Sequence, residues 1–240
     1  MKCIHFFRGI LVLLLVPLLT FLTSLLAIIY LVVFRGSARK AQVLPRTWGK
    51  IILLAAGVKV KVEGLENIAP GRPYIFAANH QSQFDIFAMQ GCFNFDFRWL
   101  AKKELFQIPL FGRAMQLAGY ISIDRSHGRE ALKSLKEAAE RIASGTSVIL
   151  FPEGTRSLDG KLHPFKTGGM VLAIKSGVPL VPVAISGTFP VLPKGKLLAK
   201  PGRVTIRVGA PVETKGVGAG QKQELAERMH DAVARLLDNP

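Results

Sequence analysis

Acidic side chains are scarce in this chain, and they are unevenly placed. Its 240 residues hold 16 Asp and Glu against 32 Lys and Arg, a formal net charge of +16. The first acid is Glu63, and none occurs between Asp159 and Glu213. Such a balance calls for an anionic partner: nucleic acid, a membrane surface or a phosphorylated substrate. Cysteine is nearly absent as well. Cys3 and Cys92 lie in apolar surroundings without metal-ligand spacing, which excludes a disulfide framework, implies no metal and fits a reducing compartment. Helix-turn-helix, zinc-finger and aromatic RNA-binding patterns are also missing, which weakens the reading of a basic, membrane-tethered nucleic-acid-binding protein. No internal repeat is visible.

Charge is missing altogether from Gly9 to Phe34, twenty-six residues interrupted only by Thr and Ser. As a helix the run is ~39 Å long against a hydrocarbon core of ~30 Å, so it belongs in a bilayer. It exceeds the ~7–15 apolar residues of a signal peptide, and no small-residue cleavage site follows cleanly. Pro17 lies within the run and is a candidate kink. Arg35, Arg39, Lys40, Arg46 and Lys50 follow the run, whereas only Lys2 and Arg8 precede it, so the downstream side is expected to be cytoplasmic. A second apolar segment opens at Thr47 and is short enough to lie at the interface, with Trp48 at headgroup depth. Residues 1–57 therefore read as a membrane-anchoring helical segment and 58–240 as a separate folded domain.

Beyond residue 57, apolar runs and helical patterns alternate. Strands are expected near Val58–Val62, Tyr74–Ala78, Arg98–Ala101, Tyr120–Asp124, Ser147–Phe151, Leu180–Ser186 and Arg203–Val208. Helices are expected near Ile108–Leu117, Arg129–Ala143, Gly169–Lys175 and Gln221–Leu237. The alternation implies an α/β fold, a mixed and mostly parallel sheet flanked by helices.

The stretch Asn79-His80-Gln81-Ser82-Gln83-Phe84-Asp85 stands between two apolar runs. Five residues apart on one continuous helix, His80 and Asp85 would point about 140° away from each other. A strand ending at His80, a turn with Ser82 as helix N-cap and Asp85 in the first helical turn would bring them together as base and orienting carboxylate. Phe151-Pro152-Glu153-Gly154-Thr155-Arg156-Ser157 follows Val148-Ile149-Leu150. Its polar groups cannot be buried cheaply and are expected at the sheet's carboxyl edge, where α/β proteins bind ligands. There Gly154 lets the backbone approach a ligand and Arg156 offers a planar fork for phosphate. Arg125 and Lys102 each follow a strand in the same way, and these three cations are expected to converge on one phosphate. Glu153 beside them is expected to hold Arg156 or an acceptor hydroxyl, with a simple salt bridge as the alternative. Pro190 to Gly202 reads as a basic loop carrying Lys194, Lys196 and Lys200, either solvated or in contact with lipid.

Taken in order, NHQSQFD, GYISIDR, FPEGTRS and VPLVPVAISG, joined by AKKEL and FKTGG, resemble the four motifs of the glycerolipid acyltransferases of the lysophosphatidic acid acyltransferase type. The resemblance covers residues 58–210. It departs at Ser122, where the family usually has an apolar residue, and at Thr167, where Lys or Gly is common. It implies His80 and Asp85 as catalytic residues, with Glu153, Gly154, Thr155, Arg156, Arg125 and Lys102 binding substrate. It further implies acyl transfer to the 2-hydroxyl of lysophosphatidic acid to give phosphatidic acid. The donor would be an acyl carrier protein or coenzyme A thioester acting as co-substrate, and no cofactor or metal is called for. Anionic membrane lipids are expected partners, nucleic acid is not, and the expected seat is the cytoplasmic face of the inner (cytoplasmic) membrane. The same chemistry on another lysolipid remains open at this stage. A thioester is already activated, so no enzyme nucleophile is needed. Ser82 stands in no nucleophile elbow, and Cys92 has no neighbouring base or cation in sequence.

Overall fold

The computed structural model describes residues 2–124 and 128–238. Its helices are α1 (Lys2–Ile28), continued by a π-helical turn over Ile29–Val33, α2 (Ala38–Ala41), α3 (Val43–Ala56), α4 (Phe84–Cys92), α5 (Phe111–Leu117), α6 (Arg129–Ala143), α7 (Gly168–Ser176), α8 (Thr188–Val191) and α9 (Lys222–Asp238). Its strands are β1 (Val58–Glu63), β2 (Ile75–Ala78), β3 (Arg98–Lys102), β4 (Ile121–Ile123), β5 (Val148–Leu150), β6 (Leu180–Ser186) and β7 (Gly202–Val208).

The strands form one sheet in the order β1-β7-β6-β2-β5-β3-β4. Every pairing is parallel except β6 with β7, which is the mixed, mostly parallel sheet expected. The central strands are short and apolar because both of their faces are covered. Pleating sends Tyr74, Phe76 and Ala78 to one face and Ile75 and Ala77 to the other. The first face packs against α3 and α4 through Ile52, Leu53, Phe84 and Phe87, and the second against α6, α7 and α9 through Ile142, Met170 and Met229.

Residues before the first strand share this core. In α1, Gly9, Val12, Ser24 and Ala27 form a buried stripe at helical spacing, with Val16, Leu19, Thr20 and Thr23 partly covered between them. Phe6, Phe7, Leu14, Leu18, Phe21, Leu25 and Leu26 remain exposed on the remaining faces. The segment expected to begin at Thr47 starts four residues earlier, at Val43, because Pro45 is tolerated in a first turn, where its missing N–H is not required. Trp48 is tied into the protein by its side-chain contacts. Its indole Nε1 donates to Thr20 Oγ1 at 3.1 Å and its ring meets Phe87 edge to face, wedging it between α1 and α4.

Candidate active site

Strand order decides which loops meet. β2, β5, β3 and β4 are consecutive, parallel neighbours, so the segments leaving their carboxyl ends emerge side by side although they are far apart in sequence. His80 follows β2, the Glu153–Arg156 segment follows β5, and Lys102 ends β3. Asn79 continues the β2–β6 ladder with its side chain, donating to Ile185 O at 2.9 Å and accepting from Ile185 N at 2.7 Å. The chain then leaves the sheet at a fixed point, with His80 next.

Asp85 is fully buried in the first turn of α4. Its Oδ2 accepts from Gln81 N at 2.7 Å and Ser82 N at 2.8 Å, and it lies 2.8 Å from His80 Nδ1. The turn needed to join His80 to Asp85 is therefore held by the carboxylate itself. Ser82 caps the entry to the helix as expected, one residue ahead of an already helical Gln83: its Oγ accepts from Phe84 N at 3.1 Å and donates to Leu192 O at 2.8 Å. Its hydroxyl is thus fully engaged, and burial raises the Cys92 thiol above its ordinary pKa, so neither behaves as an activated nucleophile.

The loop after β5 grips the histidine from the other side. His80 N donates to Glu153 Oε1 at 2.6 Å, and Ser157 N donates to His80 O at 2.8 Å. Glu153 Oε2 accepts from His163 N at 3.2 Å. Both carboxylate oxygens serve backbone N–H groups, so Glu153 is buried against the His80 turn rather than paired with Arg156 as the sequence suggested. Burial pushes its pKa up, opposed by those two backbone hydrogen bonds. Among the described residues no carboxylate lies within ion-pair distance of the Arg156 guanidinium.

The His80 imidazole lies flat on Phe151, with ring centroids 3.8 Å apart and planes 7° from parallel. Phe151 in turn stacks on Trp99 at 5.8 Å, and Trp99 Nε1 donates to Gln90 Oε1 at 2.7 Å. These three residues were missed at the sequence level. Only their aromatic or amide character beside a motif could have pointed to them, Phe151 opening FPEGTRS and Gln90 lying on the helix of Asp85.

His80, Lys102, Gly154, Thr155 and Arg156 line one cleft of about 450 Å³. Much of the rest of its lining is apolar, with Ile86, Leu100, Phe111 and Met115, and α1 contributes Thr20, Thr23 and Ser24 to it. Lys102 Nζ sits 3.0 Å from Glu104 Oε1. Gly154 has φ +79°, and a Cβ there would come within 3.1 Å of Lys166 Nζ, so glycine fits both the backbone and the space. Arg125 lies outside the described residues. Among those described, no group of three His, Cys, Asp or Glu side chains is arranged to hold a metal. A base oriented by a carboxylate, cations on the same cleft and an apolar slot beside them suit proton removal from an alcohol on a phosphorylated, fatty molecule.

Comparison with known proteins agrees with this geometry. The acyltransferase family model matches residues 59–186. A 1-acyl-sn-glycerol-3-phosphate acyltransferase of Limnanthes douglasii is 35% identical over 190 residues, covering 79% of this chain and 67% of the relative. A protein of the same name from Pseudomonas aeruginosa is 35% identical over 186 residues, covering 77% and 71%. The crystal structure of the 1-acyl-sn-glycerophosphate (LPA) acyltransferase PlsC from Thermotoga maritima superposes with a TM-score of 0.74 at 31% identity, covering 96% of this chain and 95% of that one. With its family signature spread over the strands and loops that form the cleft, the chain belongs to the acyltransferase family.

Proposed function

We propose that the protein transfers a fatty acyl group from a thioester donor, acyl carrier protein or coenzyme A, to the 2-hydroxyl of 1-acyl-glycerol 3-phosphate, giving phosphatidic acid. The observation that carries this reading is the His80–Asp85 pair opening onto a cleft lined by the cations Lys102 and Arg156 together with apolar side chains. With Nδ1 held by Asp85, the Nε2 of His80 is the free acceptor, able to take the proton of the acceptor hydroxyl as oxygen attacks the thioester carbonyl. The proton then passes to the departing thiolate, so the histidine ends as it began. Arg156 and Lys102 are assigned to the acceptor phosphate, the first as a bidentate fork and the second as a point charge. The apolar wall is assigned to acyl chain.

Membrane attachment follows from α1. The helix from Ile4 to Val33 is long and apolar enough to cross a membrane, yet its buried stripe runs along the body from Gly9 to Ala27. A helix packed on the domain over that length is better seated in one leaflet, with its exposed faces in lipid and the cleft beside them. The inner membrane, with the domain on the cytoplasmic face, suits the cations clustered after the run. The test is an assay of purified protein with one labelled acyl donor at a time and a panel of lysolipids. Preferred use of the phosphomonoester acceptor supports the reading, and preference for a larger head group moves the activity to another lysolipid.

A further inference from the structure

Residues 192–201, between α8 and β7, touch three parts of the molecule at once. Leu192 O accepts the Ser82 hydroxyl at 2.8 Å and Pro193 pairs with Ser82 in an isolated antiparallel bridge, and Ser82 N is itself a donor to Asp85 Oδ2. Lys194 Nζ donates to Thr155 Oγ1 at 3.0 Å and to Arg156 O at 3.3 Å. Leu198 and Ala199 back onto α1, where a Cβ on Gly9 would lie 3.0 Å from Leu198 Cβ and 3.2 Å from Ala199 O. One loop thus joins the turn that carries the base, the loop that carries the phosphate-directed arginine and the apolar helix.

Its outer side has a different character. Leu197 is 71% exposed, and it lies between Lys196 and Lys200, both exposed. None of Lys194, Lys196 and Lys200 has an ion pair among the described residues, and the sequence supplies no acid from Gly160 to Val212. An exposed leucine framed by unneutralised lysines, beside a helix with exposed Phe6, Phe7 and Leu13, matches the boundary between head groups and acyl chains of an anionic bilayer.

We propose that loop 192–201 is a contact surface for anionic membrane lipid, Leu197 entering the headgroup boundary and Lys196 and Lys200 pairing with lipid phosphates. Through Ser82 and Lys194 the same contact holds the His80 turn and the Arg156 loop in register, so the lipid surface adjusts turnover. This rests on the membrane seating proposed above and adds to it a lipid-charge requirement located on one loop.

The test uses full-length protein in nanodiscs of phosphatidylcholine alone or phosphatidylcholine with phosphatidylglycerol. Hydrogen exchange of residues 192–201 is measured together with turnover of a short-chain, freely soluble acceptor. Anionic lipid is expected to slow exchange in this loop and raise turnover several-fold. Lys196→Glu with Lys200→Glu is expected to abolish both responses, so that exchange and turnover become the same in the two lipids, while keeping the turnover measured in phosphatidylcholine. Equal exchange in the two lipids, or a lipid response that survives the double substitution, overturns the proposal. A loss confined to the acyl carrier protein donor in phosphatidylcholine assigns these lysines to the acidic carrier and also overturns it. Should no arm show acyl transfer, the proposed reaction fails, and the exchange data alone still decide whether the loop meets lipid.

Discussion

His80 is served by neighbours on four sides: Asp85 at Nδ1, Glu153 at its backbone N–H, Ser157 at its carbonyl and Phe151 under the ring. His80→Ala is expected to lower turnover ~10²–10⁴-fold, the usual worth of a general base, with folding retained in circular dichroism. Near-normal turnover by the folded variant would remove the mechanism. Phe151 should act through the imidazole, because an aromatic face within 4 Å stabilises a forming imidazolium by ~0.5–2 kcal/mol. Phe151→Leu is therefore expected to cost about 2- to 30-fold in kcat, converting that energy at 1.36 kcal/mol per decade. Phe151→Tyr should restore most of the loss, whereas an unchanged kcat in the leucine variant would reduce the stack to packing. Glu153 gives a pH prediction with a definite sign. Its folded pKa is raised, so its contribution to stability is full below the ordinary value of about 4.3 and is lost as pH rises through the raised value. Melting curves of wild type and Glu153→Gln should therefore converge, or cross in favour of the variant, as pH rises through that window, and a gap that widens would contradict it. Turnover should fall in Glu153→Gln regardless, since an amide has one acceptor oxygen for two backbone N–H groups. The five-residue spacing of His80 and Asp85 was legible because only a turn makes it chemically useful. The inward turn of Glu153 and the ring of Phe151 were not, since both depend on β5 lying next to β2, which local sequence does not encode.

At the scale of elements, the strands were legible almost to the residue, because doubly covered parallel strands read as short apolar runs bounded by polar turns. Helix starts were less so. α3 begins before the apolar pattern does, and the entry to α4 is organised by a carboxylate reaching back as well as by a capping serine. The packing of α3 on α4 was invisible, since it rests on two glycines. A Cβ on Gly49 would stand 2.9 Å from Gly91 N and from Phe87 O, and one on Gly91 would stand 3.0 Å from Lys50 N. Gly49→Ala gains ~1 kcal/mol in helix propensity, but its methyl meets backbone that cannot rotate away, and such overpacking costs ~1–3 kcal/mol. The clash is expected to win, lowering the melting temperature. Gly168→Ala, at the start of α7 with nothing within 4 Å of its new Cβ, should be neutral or slightly stabilising. If both substitutions shift stability alike, close approach of α3 and α4 is not what fixes Gly49.

On the scale of the whole molecule, the first helix divides what composition can say from what it cannot. Absence of charge over Gly9 to Phe34 announces lipid, and from that alone one expects removal of residues 1–34 to release the protein from membranes with its fold intact. The stripe on α1 argues otherwise. Val12 and Ala27 are buried, Val16 and Leu19 are partly buried, and Thr20 holds the indole of Trp48. At ~1.5–3 kcal/mol for a fully buried aliphatic side chain, and about half that for a partly covered one, the stripe contributes roughly 5 kcal/mol. A domain of this kind has only ~5–15 kcal/mol in total, so the trimmed chain would retain little margin, and it would also expose the core beneath Trp48. Because Thr20, Thr23 and Ser24 form one wall of the cleft, its apolar slot would be left open as well. Deletion of residues 1–34 is therefore expected to lower the melting temperature markedly in detergent and to remove acyl transfer even to a soluble, short-chain acceptor that needs no membrane delivery. A trimmed protein that melts like the full chain and acylates such an acceptor at the same rate would return α1 to the role of a simple anchor.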